Sequence, residues 1–166
     1  MANKQSFTPD EWSKILQSTM LAGIAVTAAE PSGLWGALKE AFASSSALAA
    51  AKSNAGSSEL IKAVVAEFET KEGRASIQEG LRQHLADAKP ADAVQRSLAN
   101  LREVTAILDA KAPQDAAGFK TWLRAISQNV SEASSEGGFL GIGGVKVSDA
   151  EKATLAEISK ALGTSA

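Results

Sequence analysis

The stretch EGGFLGIGGVKVSDAEKATLAEISKAL, residues 136–162, joins a glycine-rich apolar loop to a strongly capped helix. Gly137, Gly138, Gly141, Gly143 and Gly144 are interleaved with Phe139, Leu140, Ile142 and Val145. A flexible linker carries no such hydrophobic load. Two readings of the loop follow. In one, the glycines supply tight turns while the apolar side chains plug one end of a helical core. In the other, backbone N–H groups converge on an anion, as in phosphate-cradling loops. No Lys-Ser/Thr pair follows the later glycines and no strand precedes the loop, which favours the plug. Beyond the loop, Ser148 and Glu151 stand three apart, the spacing at which each side chain bonds the backbone N–H of the other. This spacing predicts a helix with Leu155, Ile158 and Leu162 on one face and Gly163 at its end.

The same logic repeats at the front of the chain. Thr8, Pro9 and Glu11 predict an N-cap, a first helical residue and the return half of a capping box, with Phe7 and Trp12 at the positions of a hydrophobic staple. The helix they open runs to about Ala29. Its residues Trp12, Ile15, Leu16, Met20, Leu21, Ile24 and Val26 spread around the circumference, which predicts a central helix packed on several neighbours. After the turn Pro31-Ser32-Gly33, a second helix begins at Leu34 and Trp35, is weakened by Ser44, Ser45 and Ser46, and stops by Gly56. A third, capped by Ser57 or Ser58, carries Leu60, Ile61, Val64, Val65 and Phe68. Gly73 breaks or kinks the chain before a fourth with Ile77, Leu81 and Leu85. Lys89 and Pro90 start a fifth, striped by Val94, Leu98, Leu101, Val104, Ile107 and Leu108. A sixth follows Pro113 with Phe119, Trp122, Leu123, Ile126 and Val130, fading through the serines before Glu136. With no segment alternating apolar and polar at strand length, the fold class is all-α: a compact bundle of about seven helices with the glycine loop before the last.

At 166 residues the chain is expected to form one helical domain, residues 1–166, with enough core to fold without disulfide or metal. It has no cysteine, which excludes disulfides, thiolate metal sites and cysteine nucleophiles and fits a reducing, cytoplasmic setting. The first residues lack the order of a secretory signal. The apolar run from Met20 to Ala29 is about half the ~20 residues of a membrane span, so no span is expected. A net charge of −2 with scattered basic residues argues against nucleic acid.

The string of Gly144, Val145, Lys146, Val147, Ser148, Asp149, Ala150 and Glu151, followed by Ala153, Leu155 and Ile158, resembles the turn and second helix of the tellurite-resistance TerB-like helical domains. The segment from Met20 to Gly33 is similar to the first half of the same hairpin. The likeness covers about a third of the chain and implies a stress-response protein that binds a divalent cation through acidic residues at the helix turns. On that resemblance the metal ligands are Glu30, displaced by Pro31 and Ser32, and Glu136, followed by the inserted glycine loop. Such carboxylates suit Ca²⁺ or Mg²⁺, which take several oxygen ligands. Asp149 and Glu151 instead suit the positive end of their own helix. A short pseudo-repeat is also present: the helix ending at Ala29 and the helix ending near Glu136 each lead, through a glycine turn, into a partner helix, and two such hairpins would pack face to face and bury the loop between them.

Enzyme chemistry finds no support in the residues. There is no nucleophile elbow, no cofactor fingerprint, and one histidine, His84, at the edge of an apolar face. Acidic residues such as Glu67, Glu69 and Glu72 read as a wet face. The expected function is a non-enzymatic binding or scaffold module, acting on an unidentified protein partner or as a homo-oligomer, with no cofactor. Phe139, Leu140 and Ile142 form its docking patch if the loop is exposed. Trp12, Trp35 and Trp122 are core by helical phase, or anchors if exposed. A bundle rich in alanine also suits an internal cavity for a small ligand or lipid.

Overall fold

The computed structural model describes residues 1–29, 58–136 and 147–164. Among them the fold is all-α. A short 3₁₀ turn, Lys4–Ser6, precedes six helices: α1 Pro9–Ala29, α2 Glu59–Glu69, α3 Lys71–His84, α4 Pro90–Lys111, α5 Pro113–Glu136 and α6 Asp149–Leu162. The helix expected from Leu34 onward lies outside the described residues. Buried side chains of all six helices form one hydrophobic cluster.

α1 is the centre. Every residue from 15 to 26 is buried, so for three turns this helix has no solvent face. It packs on α3, α4, α5 and α6. Its entry is fixed by chemistry legible in the sequence. The Thr8 N–H donates to Glu11 Oε2 at 2.8 Å, the Glu11 N–H donates to Thr8 Oγ1 at 3.3 Å, and the rings of Phe7 and Trp12 stack with centroids 6.0 Å apart. Total burial leaves its hydroxyls no water, and they turn to the helix's own carbonyls. Ser18 Oγ donates to Ile15 O at 2.6 Å and Thr19 Oγ1 to Leu16 O at 2.8 Å.

α4 runs antiparallel to α1, as two ion pairs show. Glu11 meets Lys111 at 2.6 Å, while Lys14 reaches Glu103 at 3.1 Å and also Asp10 at 3.1 Å. α5 runs parallel to α1. Asp115, in its first turn, lies beside Ala2, and Ser127, further along, donates to Ala22 O at 3.1 Å. α1 and α5 therefore end at the same end of the bundle. α5 also stays helical through its serines to Glu136. Ser127 and Ser131 are buried, and tertiary packing outweighs their weak intrinsic preference.

α2 and α3 meet at a tight corner. Thr70 ends one helix and caps the next, its Oγ1 accepting from Gly73 N at 2.9 Å, while Arg74 Nη1 closes the free carbonyls of Phe68 and Glu69 at 3.0 and 3.1 Å. Gly73 does not break the chain; it sits in the first turn of α3. A Cβ there would stand 2.0 Å from the Glu67 carbonyl oxygen, so glycine is what lets the two helices meet. At the far end, Gly163 adopts φ 64°. Thr164 N then reaches Ser159 O at 3.0 Å and Gly163 N reaches Lys160 O at 3.1 Å, the paired bonds of a Schellman ending.

Two predictions follow from this packing. Gly73→Ala should lower stability by roughly 1–3 kcal/mol, because backbone must move to admit the methyl. Gly118→Ala, whose Cβ meets nothing within 4 Å, should raise it by about 0.5–1 kcal/mol through helix propensity. Urea melts of the two variants check the contrast. The second concerns Glu11, whose carboxyl is held below its ordinary value by the Lys111 ammonium and then by the Thr8 N–H. A depressed folded value means the contribution is present above the unfolded value near 4.5 and lost as pH falls through the folded one. The difference in Tm between the wild type and Glu11→Gln should therefore be present at pH 7 and close progressively below pH 4.5.

Candidate functional site

Of the residues proposed for function, Glu30, Phe139, Leu140 and Ile142 lie outside the described residues, and Glu136 is the last residue of α5. What the structure supplies is the frame around them. In the sequence, residues 137–146 join the end of α5 to the start of α6. That start is fixed by the reciprocal capping bonds: Ser148 N donates to Glu151 Oε2 at 2.8 Å and Glu151 N to Ser148 Oγ at 3.2 Å. α6 packs on α1, α4 and α5, and Thr105 Oγ1 donates to Ala161 O at 3.1 Å. Val147 and Ser148, the two residues that precede α6, are half-buried.

The carboxylates near this frame divide by role. Glu151 is buried and spent on the capping box. Asp149 is fully exposed and lies 3.5 Å from Lys152 on its own helix. Both sit in the first turn of α6, where negative charge complements the exposed N–H groups. Among the described residues no three His, Cys, Asp or Glu side chains gather closely enough to hold a metal ion.

The remaining candidates resolve into structural parts. His84 is half-buried, its Nε2 3.1 Å from Arg96 O, and Arg96 Nη1 returns bonds to His84 O at 3.1 Å and Ala86 O at 2.9 Å. This clasp joins the end of α3 to α4. Trp12 and Trp122 are buried, and Trp122 packs edge-on against Phe119 at 5.2 Å. They are core, while Trp35 lies outside the described residues. Glu67 pairs with Lys4 at 2.6 Å, and Glu69 and Glu72 are exposed, as a wet face requires.

One residue that sequence reasoning passed over is Asp115. Only 8 % exposed, its carboxylate accepts the Ala2 N–H through Oδ2 at 2.8 Å and the Ser58 hydroxyl through Oδ1 at 2.8 Å. It thus ties the chain start, the head of α2 and the first turn of α5 in one place. Ser58 occupies the expected cap position of α2, but its side chain makes no cap bond there; the hydroxyl is turned to Asp115. The only sequence signal was an acid two residues after Pro113, which reads equally well as a solvated first-turn carboxylate. Both oxygens are engaged by neutral donors, and Ser58 is itself buried. The pair acts as an anchor.

Asp115→Ala strands a buried amide and a buried hydroxyl and should cost about 2–4 kcal/mol; Asp115→Asn, which keeps one acceptor oxygen, should cost less. Chemical denaturation of both variants tests the order.

Neither a family model nor a curated protein nor a solved structure matches this chain.

Proposed function

We propose that this chain is a non-enzymatic helical binding module, engaging a protein partner or a second copy of itself through Phe139, Leu140 and Ile142. The observation that carries the reading is how completely the rest of the apolar surface is used up. Among the described residues the one exposed large hydrophobic side chain is Met1, and Trp12 and Trp122 are committed to the core. Large apolar side chains outside the described residues stand in 30–57, where Leu34, Trp35, Leu38 and Phe42 have the helical spacing of a core face, and in the glycine-rich segment, where Phe139, Leu140 and Ile142 fall within four residues; recognition by hydrophobic contact is assigned to the second. The capping box that begins α6 gives that segment a fixed root, and a rigid frame lowers the ordering cost of binding. No helix of the described residues is long and apolar enough to cross a membrane. Residence in the cytoplasm belongs to the same proposal and rests on the absence of cysteine.

A second reading has one observation in its favour. α1 and α5 run parallel and end together, and in the sequence Glu30 directly follows α1 while Glu136 is the last residue of α5. That placement supports a divalent-cation site of the TerB-like kind, on carboxylates at paired helix ends.

One set of measurements separates these readings. The wild type and a Phe139→Ser/Leu140→Ser/Ile142→Ser variant are compared by sedimentation equilibrium and thermal unfolding, each with and without millimolar Ca²⁺ or Mg²⁺. Self-association through the segment predicts a wild type heavier than 17.1 kDa and a monomeric variant of nearly unchanged Tm. A monomeric wild type whose variant loses many degrees of Tm would instead make the segment a core plug and sink the binding proposal. A rise in Tm with cation, lost in Glu30→Gln/Glu136→Gln, is the signature of the metal reading, since a ligand bound only by the native state adds RT ln(1 + [L]/Kd).

A further inference from the structure

Ser97 and Asn100 lie three residues apart on α4, a spacing that makes them neighbours on one helix face. Both are sealed in: Ser97 is 0 % exposed and Asn100 3 %. Ser97 Oγ and Asn100 Oδ1 are each cut off from solvent and have no hydrogen-bond partner among the described residues. Buried oxygens are rarely left so in native proteins. Ala93, Leu101 and Val104 share this buried side of α4.

The antiparallel course set by the Glu11–Lys111 and Lys14–Glu103 pairs turns this part of α4 toward the later half of α1, where Ala22, Gly23 and Ala25 are small and carry no polar side chain. The nearest hydroxyls along the central helix are already engaged. Ser18 donates to Ile15 O and Thr19 to Leu16 O, and on α5 Ser127 divides its proton between Ala22 O and Leu123 O at 3.1 Å each. An amide oxygen can only accept, so Asn100 Oδ1 needs a donor that no hydroxyl here supplies. An acceptor and a hydroxyl side by side call for a small ligand that can both donate and accept.

We propose that a single water molecule is bound between α4 and α1, donating a hydrogen to Asn100 Oδ1 and accepting the Ser97 hydroxyl proton. Buried waters of this kind make two to four bonds to groups the protein leaves unmatched and are integral to the packing. The site is distinct from the segment assigned to partner binding and stands whether or not that assignment holds.

A high-resolution crystal structure of the whole chain decides the matter directly. The expected result is an ordered water within hydrogen-bond distance of both oxygens. Asn100 bonded directly to Ser97 or to another side chain, or well-ordered side chains with no density between them, would overturn the proposal. In solution, ¹⁷O magnetic relaxation dispersion counts long-lived internal waters. The count should fall by one in Ser97→Ala/Asn100→Leu relative to wild type, and an unchanged count contradicts the site. If the double variant does not fold, the wild-type crystal structure still decides.

Discussion

A helix with no solvent face imposes conditions on everything around it. Over residues 15–26 α1 is buried on all sides, so each neighbour must bring an apolar stripe to it and each polar atom it carries must be satisfied from within. The stripes come from α3, α4, α5 and α6. The polar demands are met locally, by Ser18 and Thr19 folding back on the preceding turn, and once across a helix interface, by Ser127 on the Ala22 carbonyl. Small residues make the arrangement possible. Ala22, Gly23, Ala25 and Ala28 keep the circumference of α1 narrow, so that several helices can approach it at once. Gly80 shows the same economy of space, receiving the Gln17 side chain where a methyl group would collide with it.

Around this axis the charged groups work at the rim. The Glu11–Lys111 and Lys14–Glu103 pairs fix the sense of α4 against α1 at the surface, where screening keeps such pairs weak individually. Asp115 differs in kind. It is a carboxylate taken out of water and matched by two neutral donors from segments 57 and 113 residues distant. Hydrogen bonds to an ionised acceptor are stronger than neutral ones, and here they fasten the start of the chain and the head of α2 to the first turn of α5. The ionic rim orients helices, whereas the buried carboxylate joins parts of the chain that share little other contact.

Much of this was legible in the sequence because it depends on local chemistry. The boxes Thr8/Glu11 and Ser148/Glu151, the staple of Phe7 and Trp12, the all-round apolar character of α1 and the glycine that closes α6 involve residues within a turn or two of each other. Their geometry follows from spacing alone. Gly73 was misjudged for the opposite reason: its role depends on the approach of the Glu67 carbonyl across a corner, and local rules saw only a helix breaker. The end of α5 near Glu136 was legible, while the burial of Ser127 and Ser131, a property of the neighbours, was not. Asp115 carries only the mark of an ordinary first-turn acid, and the Ser97/Asn100 pair carries none. Their partners or their isolation are set by helices far along the chain, and one sequence without relatives does not reveal such meetings. For the candidate site, the capped root at Ser148 was legible, and Glu30, Phe139, Leu140 and Ile142 fall outside the described residues.

The order of helices along the chain gives the burial of α1 a consequence in time. A ribosome makes this helix before any of the elements that cover it. At roughly 5–20 residues per second, the ~80 residues from the end of α1 to the end of α4 take about 4–16 seconds, and α5 and α6 come later still. Throughout that interval α1 has at most α3 complete among the described neighbours that cover it. Its contacts are separated by most of the chain length, which slows the search for them. An apolar surface that waits for its partners in this way is open to aggregation in the partly made chain, a hazard that the stability of the finished bundle does not remove.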